Sequence, residues 1–293
     1  MPKKIAININ HNTAIRYLGS LFSLACVIFI FIRLKGYWDK IQITQLNEKL
    51  LYAIVILSLA YGMANVLLAL SWNYLLRAFK VTSELKTSIK IYGISQLGKY
   101  IPGNIFQFAG KQALAMKNGL PTKNTLKANA AELVILLISG ILLSLIIPLV
   151  MSTHISVNLI LLLWLVTIAT FLWLTHKYFN DLLVKAFLSQ LTFLVLSASF
   201  FSLLLYFVIQ PVDLTLRIIL FTATAYNLSW LVGLVTPGAP AGIGVREFVV
   251  LFFLSPVYPE SQLLLIVLLG RVVTTLGDLL FFFSCGLLKT NKI

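Results

Sequence analysis

Uninterrupted apolar runs constrain this chain more than any other feature. The run LVILLISGILLSLIIPLV at 133–150 contains no charged residue, and it approaches the roughly 20 residues that a helix with a 1.5 Å rise per residue needs to cross a bilayer. A transmembrane β-barrel would instead require segments of about ten alternating residues. The chain is 59% hydrophobic over 293 residues, which is more apolar surface than a soluble domain of this length buries. The pattern predicts an all-α integral membrane protein.

Six segments are long and apolar enough to predict complete spans, at about 15–34, 50–76, 128–150, 157–175, 187–209 and 260–287. Two further apolar regions contain helix breakers: 84–118 is interrupted at Pro102-Gly103, and 214–256 is interrupted between Pro237 and Gly244. Broken backbone at membrane depth is tolerated only where protein or a water-filled cavity covers it. We therefore predict two re-entrant hairpins in addition to the spans.

The two broken regions lie at corresponding places in the two halves of the chain. Each half reads span, span, broken hairpin, span, and broken segments at corresponding positions are typical of inverted repeats with a binding site between them. We predict a single transmembrane domain, 1–293, with a first repeat at 1–152 and a second at 153–293. Basic residues favour cytoplasmic termini, because residues 77–127 carry nine Lys and Arg against one acid, the composition of a cytoplasmic connection. The net charge of +14 is then a feature of topology and not of nucleic-acid binding.

The first broken region, GKYIPGNIFQFAGKQ at 98–112, carries basic and amide side chains at helical spacing. Lys99 precedes the break, and Asn104, Gln107 and Lys111 follow it on one helix face. A helix that begins after Pro102-Gly103 directs free N–H groups toward the tip, where an anion, and a phosphate best, is stabilised. The alternative interpretation is that the two lysines extend to the lipid headgroups.

The second broken region, TPGAPAGIGVRE at 236–247, predicts an irregular tip that ends at Arg246 and Glu247. A guanidinium at this position can bind two phosphate oxygens, or it can pair with an acidic neighbour for stability. Three more charged residues, Glu132, Arg271 and Asp278, lie within predicted spans, where ionisable groups indicate function. Glu132 and Arg271 occupy matching places in the repeats with opposite signs. A structural ion pair is the alternative, which we favour for Asp278, and Glu132 can also be an acid at a helix N-terminus.

Motifs of nucleotide-driven or catalytic chemistry do not occur in the sequence. It contains no GxxxxGK[ST] loop, no set of Ser, His and Asp at plausible depth, and no His/Cys spacing of a metal site. We predict that the protein is not an enzyme and uses no cofactor or metal.

Taken together, the two broken regions resemble the flippase-like family built on the transmembrane region of lysylphosphatidylglycerol synthase. Elements of the form K-Y-[IL]-P-G and P-x-G-[IL]-G-x-R-E occur here in the same order as in that family. The resemblance assigns Lys99, Tyr100, Pro102 and Gly103 to the first element, and Pro240, Gly242, Gly244, Arg246 and Glu247 to the second. The sequence departs from the family at Leu133, where an Arg commonly follows the acid of the span.

The resemblance implies that a lipid, or a phosphate-bearing lipid-linked precursor of envelope glycans, moves across the inner (plasma) membrane. The soluble aminoacyl-transferase domain of the synthase does not follow the last predicted span, so lipid aminoacylation is not expected. Alternatives are an ion-coupled transporter of a small anion and a partner, catalytic or not, in membrane glycan assembly. Expected partners are the lipid substrate, the membrane and envelope-biosynthesis proteins. The predicted substrate-binding residues are Lys99, Tyr100, Pro102, Gly103, Asn104, Gln107, Lys111, Glu132, Pro237, Pro240, Gly242, Gly244, Arg246, Glu247 and Arg271.

Overall fold

A computed structural model describes residues 48–100, 106–152, 154–210, 215–236 and 239–289. Every regular element in these ranges is helical, and six of the helical segments are long and apolar enough to cross a membrane. The protein is a multi-pass all-α membrane protein, which confirms the predicted fold class. The predicted span at 15–34 lies outside the described residues.

The described ranges contain the helices α1 (Glu48–Ala78), α2 (Leu85–Gln96), α3 (Phe106–Lys117), α4 (Thr122–Ser144), α5 (Ile147–Met151), α6 (Val157–Tyr178), α7 (Asp181–Ile209), α8 (Leu216–Val235), α9 (Val245–Leu254) and α10 (Glu260–Gly286). A 3-10 turn at Leu97–Tyr100 follows α2, and a second at Pro240–Gly242 precedes α9. The helices α4 and α5 together form one candidate span, Thr122–Met151.

The first broken region folds as two short helical arms, as its Pro-Gly break predicts. The arms α2 and α3 each contain 12 residues, or about 18 Å of helix, whereas the hydrocarbon core is about 30 Å thick. Neither arm is therefore long enough to cross a bilayer, and the two arms pack against each other. The break itself, at 101–105, lies outside the described residues.

The second broken region has two arms of unequal length. Its first arm, α8, has 20 residues and qualifies as a candidate span, although we predicted only a hairpin arm there. The apolar run before Pro237 is uninterrupted, so the helix continues to full length. Beyond it, Ala241, Gly242 and Gly244 have φ angles of 48°, 70° and 85°, a left-handed conformation that stops a right-handed helix and that glycine adopts without strain. The second arm, α9, has ten residues.

Helices at equivalent positions of the two predicted repeats make equivalent contacts. In the first predicted repeat, α1 and α2 both pack against α10. Their counterparts in the second repeat, α7 and α8, both pack against α4. The helices α1 and α7 pack against each other, and the two 3-10 turns are in contact. Both broken regions thus meet inside the helix bundle. The division at 152/153 itself stays a prediction.

Large apolar side chains occupy both the interior and the outer surface. Trp72, Phe193 and Leu264 are buried in the core, whereas Leu162, Leu165 and Trp173 on α6 are each 57% exposed. A soluble protein seldom exposes so continuous an apolar surface. In a bilayer the same surface contacts acyl chains, and α6 accordingly packs mainly against one neighbour, α7.

The helices α1 and α10 cross closely, and this crossing positions two buried polar side chains. A Cβ atom added at Gly62 would lie 2.9 Å from the Gly277 carbonyl oxygen, and one added at Gly277 would lie 2.8 Å from the Ser58 oxygen. Small residues permit this approach of two backbones, as they do in other membrane helices. The crossing brings Asn65 within hydrogen-bond distance of Asp278, with Nδ2 3.2 Å from Oδ1.

Residues 123 and 154 provide a direct test of the predicted topology, because they lie at opposite ends of the candidate span Thr122–Met151. Both residues are exposed. In a background without Cys26 and Cys285, a membrane-impermeant maleimide is expected to label His154→Cys from the outside of intact cells. It is expected to label Lys123→Cys only after the inside is made accessible. Labelling of both positions from the same side would contradict the inverted-repeat topology.

Candidate functional site

A central cavity of about 270 Å³ lies between the two broken regions. Its wall includes residues from α1 to α4, from α7 to α9 and from the two 3-10 turns. Among the described residues, the charged and amide side chains at this wall are Gln96, Lys99, Gln107, Glu132 and Arg246, and the rest of the wall is mostly apolar or aromatic. The volume is near the lower end of the roughly 300–1,000 Å³ of small-molecule sites.

The structure brings together predicted site residues from both halves of the chain. Lys99, Gln107 and Glu132 of the first half line the cavity with Arg246 of the second. Lys111 and Arg271 do not line it but bond to lining residues, Lys111 to Glu132 and Arg271 to the Ala241 carbonyl. Tyr100 bonds to Asp278, and Glu247 to Arg271. Pro240 and Gly242 form the second 3-10 turn, and Gly244 follows it. The predicted site residues Pro102, Gly103, Asn104 and Pro237 lie outside the described residues.

Asp278 is the centre of a buried polar cluster that joins four segments. Its side chain forms an ion pair with Lys99, at 2.7 Å, and accepts a hydrogen bond from the Tyr100 hydroxyl at 2.6 Å. Side-chain amides of Asn65 and Gln96 donate to the same carboxylate, at 3.2 and 3.4 Å. The structural ion pair favoured for Asp278 is thereby confirmed. It also means that the charge of Lys99 is already compensated.

A chain of side-chain amides extends this cluster to the third helix. Gln107 Nε2 donates to Gln96 Oε1 at 2.8 Å, and Gln96 Nε2 donates to Asn65 Oδ1 at 3.1 Å. The sequence prediction included Gln107 and missed Asn65 and Gln96. A signal was available, because an amide inside an apolar segment requires a partner in the protein interior.

Lys111 is completely buried and forms an ion pair with Glu132. Its ammonium lies 4.8 Å from the centroid of the Tyr92 ring and 5.4 Å from that of Trp72, distances at which an aromatic face attracts a cation. The alternative interpretation, in which Lys111 extends to the lipid headgroups, is therefore wrong. The face of α3 that carries Lys111 packs on α4, which places the ammonium beside a carboxylate of the bundle interior.

Arg271 on α10 and Glu247 on α9 form the corresponding ion pair of the second half. Here the hairpin arm carries the acid and the following span carries the base, the reverse of Lys111 and Glu132. The Arg271 guanidinium also donates to the Ala241 carbonyl, with Nη1 at 3.1 Å, and so supports the left-handed turn. Glu247 Oε2 and Arg271 Nη2 are buried without a hydrogen-bond partner among the described residues. A separate cavity of about 30 Å³ adjoins them, which is large enough for one or two water molecules.

Arg246 differs from the three other basic residues of the site because it faces the cavity without a carboxylate. The ion pairs among the described residues do not include it. Its Nε atom is buried and has no acceptor in the described part of the chain. The guanidinium carbon lies 5.2 Å from the centroid of the Trp230 ring, an attraction of about 0.5–2 kcal/mol. Arg246 also lines the cavity, where its guanidinium can meet an anion.

Two glycines make room for the Arg246 side chain. A Cβ atom added at Gly233 on α8 would lie 2.5 Å from Arg246 Cγ, and one added at Gly242 would lie 2.9 Å from Arg246 Nε. Gly242 also needs its positive φ of 70°. The glycine-rich tip thus has two roles, since it reverses the chain and lets the arginine pass between α8 and the turn.

Comparisons with known proteins do not assign a family to this chain. A comparison with models of protein families gives no match, and a comparison with curated proteins gives none. The resemblance to the flippase-like family accordingly depends on the two motifs and stays a prediction.

Proposed function

We propose that this protein moves a phosphate-bearing lipid, or lipid-linked envelope precursor, between the leaflets of the inner membrane, with both of its termini in the cytoplasm. The observation that carries the proposal is Arg246, a basic side chain that forms no ion pair among the described residues and faces a cavity between two broken helical segments. An ionisable residue inside a membrane protein is by default a candidate for function.

The chemistry of the cavity wall suits a headgroup with attached acyl chains. The guanidinium of Arg246 can bind two oxygens of one phosphate, and the side chain of Gln107 also lines the cavity. Val235 also lines the cavity but is 55% exposed. The cavity therefore has an apolar edge at the outer surface of the bundle, where acyl chains can remain in the bilayer while the headgroup enters.

Transport requires that the site release what it binds. Of the two basic residues that the described part of the chain places at the cavity wall, Lys99 is held by Asp278, so an entering phosphate meets one cation that is not already paired. A charged hydrogen bond contributes about 1.5–3 kcal/mol, which is strong enough to recruit a headgroup and weak enough to release it. Corresponding helices on both sides of the cavity suit a site that opens in turn to each leaflet.

A free small anion is the competing substrate, and reconstitution separates the two. Proteoliposomes with the purified chain are expected to expose inner-leaflet fluorescent phosphatidylglycerol to dithionite faster than protein-free liposomes, with much less effect on fluorescent phosphatidylcholine. Uptake of radioactive sulfate or phosphate is expected to equal that of protein-free liposomes. Anion uptake without lipid movement would contradict the proposal.

Replacement of Gly233 by alanine is expected to displace Arg246 and to weaken retention of short-chain phosphatidylglycerol, because the added Cβ would overlap the arginine. Such overpacking costs about 1–3 kcal/mol. If this cost raises the free energy of the lipid-bound protein, the affinity for the lipid falls roughly five- to a hundred-fold. The matched control is Gly110→Ala on α3, where an added Cβ meets nothing within 4 Å. Wild-type retention by Gly233→Ala would show that Arg246 does not need this passage.

A further inference from the structure

The formal charges around the central cavity do not sum to zero. Lys99 pairs with Asp278, Lys111 with Glu132, and Arg271 with Glu247. Arg246 faces the same cavity and belongs to none of the ion pairs among the described residues. Within the described part of the chain, the site therefore carries one uncompensated positive charge.

The three pairs cannot easily supply further cations to a substrate. Asp278 and Lys111 are completely buried, and Glu132 is 3% exposed. If a lysine left its carboxylate for a ligand, a charge would remain buried and unpaired, and this is strongly unfavourable. A second negative charge on the ligand would have no cation of its own among the described residues of the cavity wall. Holding a charge away from water without a partner is unfavourable.

We propose that the cavity selects a group with a single negative charge, namely a phosphodiester, over phosphomonoesters and diphosphates. This inference rests on the proposed function and specifies its substrate class. A phosphodiester carries one negative charge at neutral pH, whereas a phosphomonoester carries about −1.5 to −2 because its second pKa is near 6. The guanidinium of Arg246, whose carbon lies over the Trp230 ring, can bind the two free oxygens of a phosphodiester.

The test uses the full chain in maltoside micelles and compares three short probes by the shift of the thermal unfolding midpoint with concentration. The probes are dihexanoyl phosphatidylglycerol, dihexanoyl phosphatidic acid and farnesyl diphosphate. At pH 8 we expect phosphatidylglycerol to bind at least about tenfold more tightly than the other two. At pH 5.5 phosphatidic acid becomes largely monoanionic, so its affinity is expected to approach that of phosphatidylglycerol. The variant Arg246→Gln is expected to bind all three weakly and without preference.

The possible outcomes separate the inference from the proposed function. Equal or tighter binding of phosphatidic acid and farnesyl diphosphate at pH 8 would overturn the single-charge rule and leave lipid transport standing. If none of the three lipid probes bound, both the single-charge rule and the proposed lipid transport would be overturned. Dimethyl phosphate, a phosphodiester without acyl chains, is the fourth probe. If it bound as tightly as phosphatidylglycerol, the charge rule would stand and the lipid assignment would fall.

Discussion

Replacement of Arg246 by glutamine is expected to slow lipid translocation by about ten- to a hundred-fold, the loss of one charged hydrogen bond of about 1.5–3 kcal/mol. The thermal unfolding midpoint is expected to stay the same or to rise. No carboxylate loses its partner when this arginine is removed, since Arg246 takes part in none of the ion pairs among the described residues. Dithionite reduction of fluorescent phosphatidylglycerol in proteoliposomes measures the first quantity, and unfolding in detergent measures the second.

Two further variants sharpen this prediction. Arg246→Lys keeps the charge but loses the two-pronged contact, so its rate is expected to fall between those of wild type and Arg246→Gln. Lys185→Gln removes one positive charge from an exposed position of α7 and serves as the control for net charge. Full transport activity by Arg246→Gln would eliminate the arginine as the headgroup ligand. A large fall in the unfolding midpoint would instead assign it a structural role.

Replacement of Lys111 by methionine is expected to destabilise the protein by about 3–5 kcal/mol, because it leaves the Glu132 carboxylate buried without its cation. The double variant Lys111→Met/Glu132→Gln is expected to recover most of this loss, since both charges are then absent. Thermal unfolding in detergent of the two single variants and the double variant gives the coupling between the residues.

The matched control lies on the same helix. Lys117→Met changes an exposed lysine at the end of α3 and is expected to alter stability by less than about 0.5 kcal/mol. If Lys111→Met unfolds at the wild-type temperature but fails to bind phosphatidylglycerol, Lys111 contacts the headgroup directly. That result would contradict its assignment as the partner of Glu132 and would raise the number of cations offered to the substrate.

The contrast between Arg246 and Lys111 shows where prediction from the sequence ended. Both residues follow a Pro/Gly break and both were predicted to bind an anion. Lys111 pairs with a carboxylate 21 residues further along the chain, on the helix that follows, whereas Arg246 is followed by an acid that pairs with Arg271. Spacing along one helix places a charge on a face, but it does not say which side chain of another helix meets that face.

The arms of the broken regions were predicted well because they depend on neighbouring residues only. Pro102-Gly103 separates α2 from α3, and the glycines after Pro237 separate α8 from α9. The sequence did not decide whether α8 is a complete span or a hairpin arm. Its 20 residues are long enough for a span and also fit a long hairpin arm.

The sequence by itself determined the class of the protein, most of its helices and the two places where helices break. These are local properties, since apolar runs and the backbone limits of proline and glycine act within a few turns. Only the tertiary structure decided which charges are compensated. Asn65 and Asp278 meet across 213 residues, through a crossing of α1 and α10 that two glycines permit. Because electrostatic energy depends on distance in space and on burial, Arg246 could be identified as the cavity's basic side chain outside the ion pairs of the described residues only after the helices were packed.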